Sequence, residues 1–338
     1  MRILGIETSC DDTGVAIYDE IYGLVKNFLH NQKKNHNKYY GIVPELAARL
    51  HTKYVLKFLR KCLNYSVNTK NKIDAIAYTA GPGLVGSLLV GASIASSFAF
   101  SLNLPMILIN HLEGHLLSSM IEHKNLKFPF LTLLISGKNT QLIYAKKLGD
   151  YIILGKTLDN SVGEVFDKVA RGLNLNYPGG PEIYKISKFG KKNNYNFPKP
   201  LIYSKCFNFS FSGLKTSVLK TIYSESKSFQ TKANIATDFQ NSIIEILIKK
   251  CFSCLLQTGL NRLVITGGVS SNLKLRKKFI FFSKKFKKKI YFSSQKFCTD
   301  NGAMIAYAGY LKFINHCYHK NSYIFVNPKW NIEDSWVL

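Results

Sequence analysis

Two histidines, His111 and His115, stand four residues apart in the segment Asn110-His111-Leu112-Glu113-Gly114-His115. On a helix that spacing puts both imidazoles on one face, about one turn apart. Neutral imidazole is a common ligand for iron, zinc and other transition metals. A two-histidine face needs a third ligand from elsewhere, usually a carboxylate. Asp300, in the polar turn Cys298-Thr299-Asp300-Asn301-Gly302, can supply it. Such a 2-His-1-carboxylate set leaves coordination positions open for phosphate or carbonyl oxygens of a substrate. Without a metal, the histidines read as polar surface residues and Asp300 as a helix N-cap. A zinc peptidase would place glutamate directly after the first histidine, whereas Glu113 comes two residues later.

Glycine turns offer a second kind of chemistry. Gly81-Pro82-Gly83, Gly179-Gly180 and Gly267-Gly268 are candidate anion cradles, and the tip Ser136-Gly137 is a fourth. Glycine lets backbone N–H groups approach an anion, and a following helix N-terminus adds a favourable dipole. Several such turns in one chain point to a bound nucleotide or phosphate. There is no Walker A sequence and no G-x-G-x-x-G opening a helix after the first strand, so neither a P-loop NTPase nor a Rossmann dehydrogenase is indicated.

The elements that must position these residues alternate between strands and helices. Arg2 to Glu7 and Gly14 to Tyr18 read as a β-hairpin whose tip, Thr8 to Thr13, carries hydroxyls and carboxylates. Pro44 to Leu63 reads as an amphipathic helix, and Ile73 to Thr79 as a strand entering the first glycine turn. Met106 to Ile109 is a strand from which the histidine helix opens. A second polar-tipped hairpin, Phe130 to Ile135 and Gln141 to Ala145, follows about 125 residues after the first. Its recurrence suggests two duplicated α/β lobes. Helices are expected over 158–173 and 233–256, a strand over 263–266, and a last apolar helix from the Asp300 turn through Leu311.

The 338 residues allow two domains, and an apolar content of 46% is enough for a full core. The formal charge of +26 points to a polyanionic partner, RNA first. Residues 274–289 are intensely basic with interleaved Phe. An AT-rich genome also enriches Lys, Asn, Ile, Phe and Tyr, so part of the excess is attributable to coding bias. Seven scattered cysteines, with a single C-x-x-C at Cys251 and Cys254 inside an apolar helical pattern, suggest reduced thiols and a cytosolic setting. Leu84 to Asn103 is uncharged and nearly long enough to span a bilayer, but its small residues and missing basic flanks fit a buried helix better, with no membrane partner.

Taken together the motifs resemble a known family. Ile-Glu-Thr-Ser-Cys-Asp-Asp-Thr-Gly, Tyr-Thr-Ala-Gly-Pro-Gly-Leu-Val-Gly, His-Leu-Glu-Gly-His, Gly-Glu-Val-Phe-Asp-Lys, Tyr-Pro-Gly-Gly-Pro, Phe-Ser-Phe-Ser-Gly-Leu-Lys-Thr, Gly-Gly-Val-Ser-Ser-Asn and Cys-Thr-Asp-Asn-Gly-Ala-Met are similar to those of the bacterial TsaD family, the tRNA N6-adenosine threonylcarbamoyltransferases. The similarity is collinear from Met1 to about Trp330. It implies an α/β actin-like ATPase fold, with two duplicated lobes and a nucleotide cleft between them, drawn here as 1–112 plus 299–338 and 113–298. It implies transfer of threonylcarbamoyl from threonylcarbamoyl-AMP to N6 of the adenosine 3′ of the anticodon, in tRNAs reading codons that begin with adenine, with release of AMP.

The resemblance also carries residues. The family's ligands to one divalent metal, iron expected and zinc the alternative, match His111, His115 and Asp300. Its substrate-contacting segment matches Leu134, Ile135, Ser136, Gly137 and Lys138, with single contacts at Asp167, Gly180 and Asn272. Asp11 matches a residue linked to activity. Implied partners are tRNA, a paralogous protein of the same fold and a small P-loop ATPase. The chain departs from the family at the second hairpin tip, where Ser-Gly-Gly-His-Thr has become Ser136-Gly137-Lys138-Asn139-Thr140. Asn110 replaces a common histidine and Asn160 an aspartate. Lys138 stands where a glycine could be needed for φ > 0 or close phosphate approach. A non-catalytic scaffold with a degraded substrate loop is therefore the alternative to the transferase.

Overall fold

A computed structural model describes residues 1–39, 41–68, 72–320 and 323–336. The chain forms two compact units, Met1–Leu126 with Thr299–Leu338, and Lys127–Cys298. The first unit contains β1 (Arg2–Glu7), β2 (Asp12–Asp19), β3 (Gly23–Asn31), the short α1 (Lys33–Asn37), α2 (Pro44–Asn68), β4 (Ala75–Gly81), α3 (Val85–Leu102), β5 (Met106–Asn110) and α4 (His111–Glu122). The second contains β6 (Phe130–Ile135), β7 (Thr140–Lys147), β8 (Asp150–Lys156), α5 (Val162–Gly172), α6 (Gly179–Ile186), α7 (Ser212–Ser224), α8 (Phe229–Gln257), β9 (Arg262–Thr266), α9 (Leu273–Lys285), β10 (Lys289–Phe292) and α10 (Gln295–Cys298). Helix α11 (Gly302–Ile314) returns to the first unit.

The two units share one topology. The first sheet runs β3-β2-β1-β4-β5 and the second β8-β7-β6-β9-β10. In each, the first three strands form an antiparallel meander and the last two add in parallel to the first strand. The duplication suggested by the two hairpins therefore extends through every strand. The third meander strands, Gly23–Asn31 and Asp150–Lys156, and the edge strand Lys289–Phe292 carry no strong alternation and were not expected from the sequence.

In the first unit β1 is buried on both faces, which explains its nearly unbroken apolar run. Leu4 and Ile6 join Val55, Phe58 and Leu59 of α2 and Ala92, Ala95 and Ala99 of α3 in one core. The other face lies on α11 so closely that a Cβ on Gly5 would stand 2.3 Å from the Ala306 nitrogen. Only a residue without a side chain fits there. Helix α4 also packs on α11, where Met304 and Ile305 meet Gly114, so α4 stays with the first unit. The unit boundary thus falls after Leu126, where the sequence reading drew it at 112. Helix α3 is the one helix, among the described residues, long and apolar enough to cross a membrane by length and composition. Its Ser87, Leu88, Gly91, Ala92, Ala95 and Ala99 face the unit's own core.

In the second unit Leu131, Leu133 and Ile135 of β6 meet Val165, Phe166 and Val169 of α5, Leu214 and Val218 of α7 and the inner face of α8. Cys251 and Cys254 are buried within that inner face, and burial pushes both thiols up, Cys254 to about 12. They are core residues, as the lone C-x-x-C suggested.

Candidate metal centre and substrate loops

His111 follows the carboxyl end of β5, and the Ser136-Gly137 and Gly267-Gly268 turns follow β6 and β9; loops at the carboxyl ends of parallel strands are where α/β sheets converge on ligands. In the first unit, β5 ends at Asn110 and α4 begins at once with His111. The Asn110 side chain caps the helix by accepting from the N–H groups of Leu112 (2.9 Å) and Glu113 (3.4 Å). Asn110, a departure from the family pattern, therefore starts the histidine helix with its oxygen, while its Nδ2 donates to the Trp330 carbonyl at 3.3 Å. One turn on, His115 shares the helix face, and the two rings stand edge to face with centroids 4.7 Å apart.

Asp300 comes from the loop before α11. Asn301, not Asp300, caps that helix by accepting from the Met304 N–H at 3.0 Å. The Asp300 carboxylate is left to face the histidines, its Oδ1 2.9 Å from His115 Nε2 and 3.6 Å from His111 Nε2. One donor atom from each residue lies within 4.8 Å of the others. Two imidazole nitrogens and a carboxylate oxygen at this spacing suit a first-row divalent metal, whose N and O ligands lie at about 2.0–2.2 Å.

The sequence reading missed what holds His111. Glu7, the last residue of β1, is fully buried, and its Oε2 stands 3.1 Å from His111 Nδ1. The same carboxylate accepts from the Ser9 N–H (2.6 Å) and the Thr79 hydroxyl (2.6 Å). A carboxylate only accepts, so Nδ1 carries the proton and the Nε2 lone pair faces the ligand cluster. Burial raises the Glu7 carboxyl, but the charge that His111 carries when protonated, its hydrogen bond and that from Ser9 outweigh burial and the nearby Asp300, and the net shift is downward. A glutamate closing the uncharged run Ile3 to Ile6 of β1 was the available signal. The Nδ1 of His115 is buried with no hydrogen-bond partner among the described residues.

Asp11 follows in the β1–β2 loop, and Asp12 opens β2. His51 of α2 pins the loop: its Nε2–H donates to the Cys10 carbonyl (2.9 Å), and its Nδ1 accepts from the Thr13 hydroxyl (2.8 Å). Burial lowers His51 and so favours this neutral form. Burial, then the charge of Asp300, raises the Asp11 carboxyl, and His36 and Lys33 partly oppose them. Asp12 is raised well above the usual carboxylate range by its deeper burial and the same charge. Glu113 takes no part in the cluster. It lies 3.5 Å from Lys312 Nζ and accepts from the Trp336 indole N–H. No glutamate is thus placed as the base of a zinc peptidase by the helix motif.

In the second unit the β6–β7 tip is a turn in which Ser136 N–H donates to the Asn139 carbonyl at 2.8 Å and Ser136 Oγ accepts from the Asn139 N–H at 3.1 Å. Leu134 and Ile135 are fully buried, so only their backbone is available to a ligand. Gly137 and Lys138 are exposed. Lys138 is not among the residues with positive φ, so the lysine costs no backbone strain at the former glycine position. The tip rests on α5, where a Cβ on Gly163 would meet the Ser136 carbonyl at 2.5 Å.

The other predicted contacts have local duties as well. Asp167 Oδ1 accepts from the Gly179 N–H (2.7 Å) and so anchors the Tyr177-Pro178-Gly179 turn. Asn272 caps α9 with its oxygen and donates to Gln240 Oε1 at 2.7 Å. The glycine turns divide into two kinds. Gly81, Gly83, Gly179 and Gly267 are pressed against backbone, whereas a Cβ on Gly137, Gly180 or Gly268 would meet nothing within 4 Å. The first group serves packing, and the second leaves backbone open to an approaching ligand.

A family profile described as tRNA N6-adenosine threonylcarbamoyltransferase, TsaD, matches residues 23–307. The chain belongs to this family. A protein of that name from Buchnera aphidicola of Schizaphis graminum is 51% identical over 334 residues, covering 98% of each chain. Another from Buchnera aphidicola of Baizongia pistaciae is 48% identical, again over 98% of each chain. Among solved structures, HypF from T. kodakarensis superposes with a TM-score of 0.64 at 16% identity, over 93% of this chain and 48% of its own. An activator of 2-hydroxyisocaproyl-CoA dehydratase from Clostridium difficile gives 0.52 at 13% identity, over 94% and 97%. The fold is that of the actin-like ATPases, as the family resemblance implied.

Proposed function

We propose that this chain, like the family to which it belongs, transfers threonylcarbamoyl from threonylcarbamoyl-AMP to N6 of the adenosine 3′ of the anticodon, in tRNAs reading codons that begin with adenine. The observation that carries the reading is the meeting of His111, His115 and Asp300 within 4.8 Å, with His111 Nδ1 on the buried Glu7 carboxylate. In the reaction the adenine N6 lone pair attacks the carbonyl carbon, the bond from that carbon to the phosphate oxygen breaks, and AMP leaves. The amine proton passes to a base.

His111, His115 and Asp300 would hold one divalent metal, iron in our reading and zinc as the alternative. The metal would supply a Lewis acid for a phosphate or carbonyl oxygen. Asp11, with its raised carboxyl, is assigned to orient the amine or take its proton. Ser136, Gly137, Lys138, Gly180 and the backbone of Leu134 and Ile135 are assigned to the adenylate, with Asp167 and Asn272 shaping the loops that present it. Lys138, exposed beside that backbone, is suited to pair with the phosphate. The non-catalytic scaffold was suggested by Lys138 and Asn139. A strain-free Lys138 and a complete ligand cluster give it no support. We further assign the reaction to the cytosol, with a paralogous same-fold protein and a small P-loop ATPase as partners.

The test is threonylcarbamoyl transfer by the purified chain, supplied with tRNA, threonylcarbamoyl-AMP and iron or zinc, with and without those partners, read by nucleoside mass spectrometry. Modified adenosine that disappears in His111→Ala is the expected result. Its absence under every partner condition, from folded and metal-loaded protein, would overturn the transferase reading. Full transfer by Asp11→Asn would remove Asp11 from its role.

A further inference from the structure

Helix α9 has two faces of opposite character. Leu275 and Phe279 are buried, and Phe279, Phe282 and Phe286 pack against Phe252 of α8. At 100° per residue, Lys274, Lys277, Lys278, Phe281, Lys284 and Lys285 fall within an arc of about 120° on the other side. From Lys274 to Lys289 the chain has nine basic residues and no acidic one. Two of the nine serve the fold. Arg276 donates to the Ser270 and Ser293 carbonyls (2.7 and 2.6 Å), and Lys288 to the Leu260 carbonyl and Asn261 (both 2.8 Å). Lys277, Lys278, Lys284 and Lys285 are exposed and make no salt bridge among the described residues.

Two features set this face apart from lysines scattered by coding bias. Like charges three and four residues apart, such as Lys274 with Lys277 and Lys278, repel on a helix and weaken it unless an anion lies across them. And in their midst Phe281 stands 63% exposed, although α9 already has a complete apolar face on the other side. An aromatic ring ringed by ammonium groups suits a chain of phosphates that carries flat, stackable bases.

We propose that this face of α9 docks an RNA loop, with Lys277, Lys278, Lys284 and Lys285 on backbone phosphates and Phe281 stacked on an unpaired base. Charge complementarity selects a polyanion, and the exposed ring selects one with unpaired bases over a duplex. The helix that carries the face starts at Asn272, an assigned substrate-loop residue, so RNA held along its first turn lies near the Gly267-Gly268 turn that precedes it. That this RNA is the anticodon stem-loop rests on the function proposed above; the docking face itself does not.

The experiment measures binding of the full chain to a labelled, unmodified anticodon stem-loop and to a duplex RNA of equal length, from 50 to 200 mM KCl. The variants are K277Q/K278Q/K284Q/K285Q and F281A, with melting curves to verify the fold. Four phosphate contacts on a single strand predict a salt slope shallower by about 3 in the quadruple variant, with at least tenfold weaker stem-loop binding. F281A should weaken the stem-loop at least fivefold and leave the duplex unchanged, since stacking requires an unpaired base. In the transfer assay the quadruple variant should raise KM for tRNA and leave kcat unchanged.

Parental affinity and slope in both variants would overturn the proposal. RNA binding that depends on α9 in a chain that never transfers would sink the transferase and support this face. Transfer with an unchanged KM in the quadruple variant would do the reverse.

Discussion

Replacing Glu7 by glutamine keeps the volume of the side chain and removes its charge, and the effect on the proposed metal site can be worked from the contacts. The carboxylate accepts three hydrogen bonds in a fully buried position: from Ser9 N–H on Oε1, and from the Thr79 hydroxyl and His111 Nδ1–H on Oε2. An amide has one acceptor and one double donor. If its oxygen faces Ser9, its NH2 faces His111 and forces the proton onto Nε2, the nitrogen needed as ligand. If the amide turns over, the buried Ser9 N–H meets another donor. Either way one charge-assisted bond is lost, and such bonds contribute about 1.5–3 kcal/mol. Carboxylates that orient a ligating histidine typically account for 10–100-fold in metal affinity. Because both amide orientations conflict with a partner, the upper half of that range is expected, a loss of about 30–100-fold. The assay is competition for zinc or iron(II) against a chromophoric chelator, with thermal melting run in parallel. Metal affinity within threefold of the parent in a folded Glu7→Gln protein, while Asp300→Asn binds poorly, would refute the reasoning.

Gly5→Ala should destabilise the chain by about 3 kcal/mol or more in urea unfolding, because its Cβ would stand 2.3 Å from backbone of α11 and neither element can move aside without repacking. Lys312→Met leaves Glu113 buried without its cation and removes donors to the Leu108 and Ser335 carbonyls; a loss of about 3–5 kcal/mol is expected. Burial, then the charge of Lys192, pushes the Lys274 ammonium down to about 8, with Asp238 opposing and Lys278 adding to the shift. A cation whose folded pKa is depressed destabilises the fold below that pKa, and the penalty fades as pH rises from about 8 toward the unfolded value near 10.4. Lys274→Met should therefore be more stable than the parent at pH 7, by about 1 kcal/mol once partial exposure is discounted, and the difference should vanish above pH 10 in chemical denaturation.

Much of this protein was legible before its structure. The i, i+4 spacing of His111 and His115 fixes their common face by helix geometry alone, and the two polar-tipped hairpins disclosed the duplication because period-two alternation is local. The motifs were specific enough for the family, and the C-x-x-C inside an apolar pattern was legible as core. What the sequence could not supply were partners chosen across long separations. Glu7 reaches His111 over 104 residues, and nothing in local patterning encodes that pairing; Asp300, 185 residues from His115, was nameable as the candidate third ligand by its residue type and the family motif, and only the fold brings the two together. Asn301 took the cap that Asp300 could have filled, a choice set by how the loop enters α11. The third strand of each meander escaped notice because edge positions tolerate polar residues on both faces. At Lys138 the sequence showed only that a glycine was gone. The backbone conformation of the turn, with no positive φ there, decided that the lysine brings no backbone strain. Residue types and short spacings belong to the sequence because they depend on chain geometry over a turn or two. Which carboxylate meets which histidine, and which glycine is packed or open, depends on the docking of whole elements, and only the tertiary structure decides that.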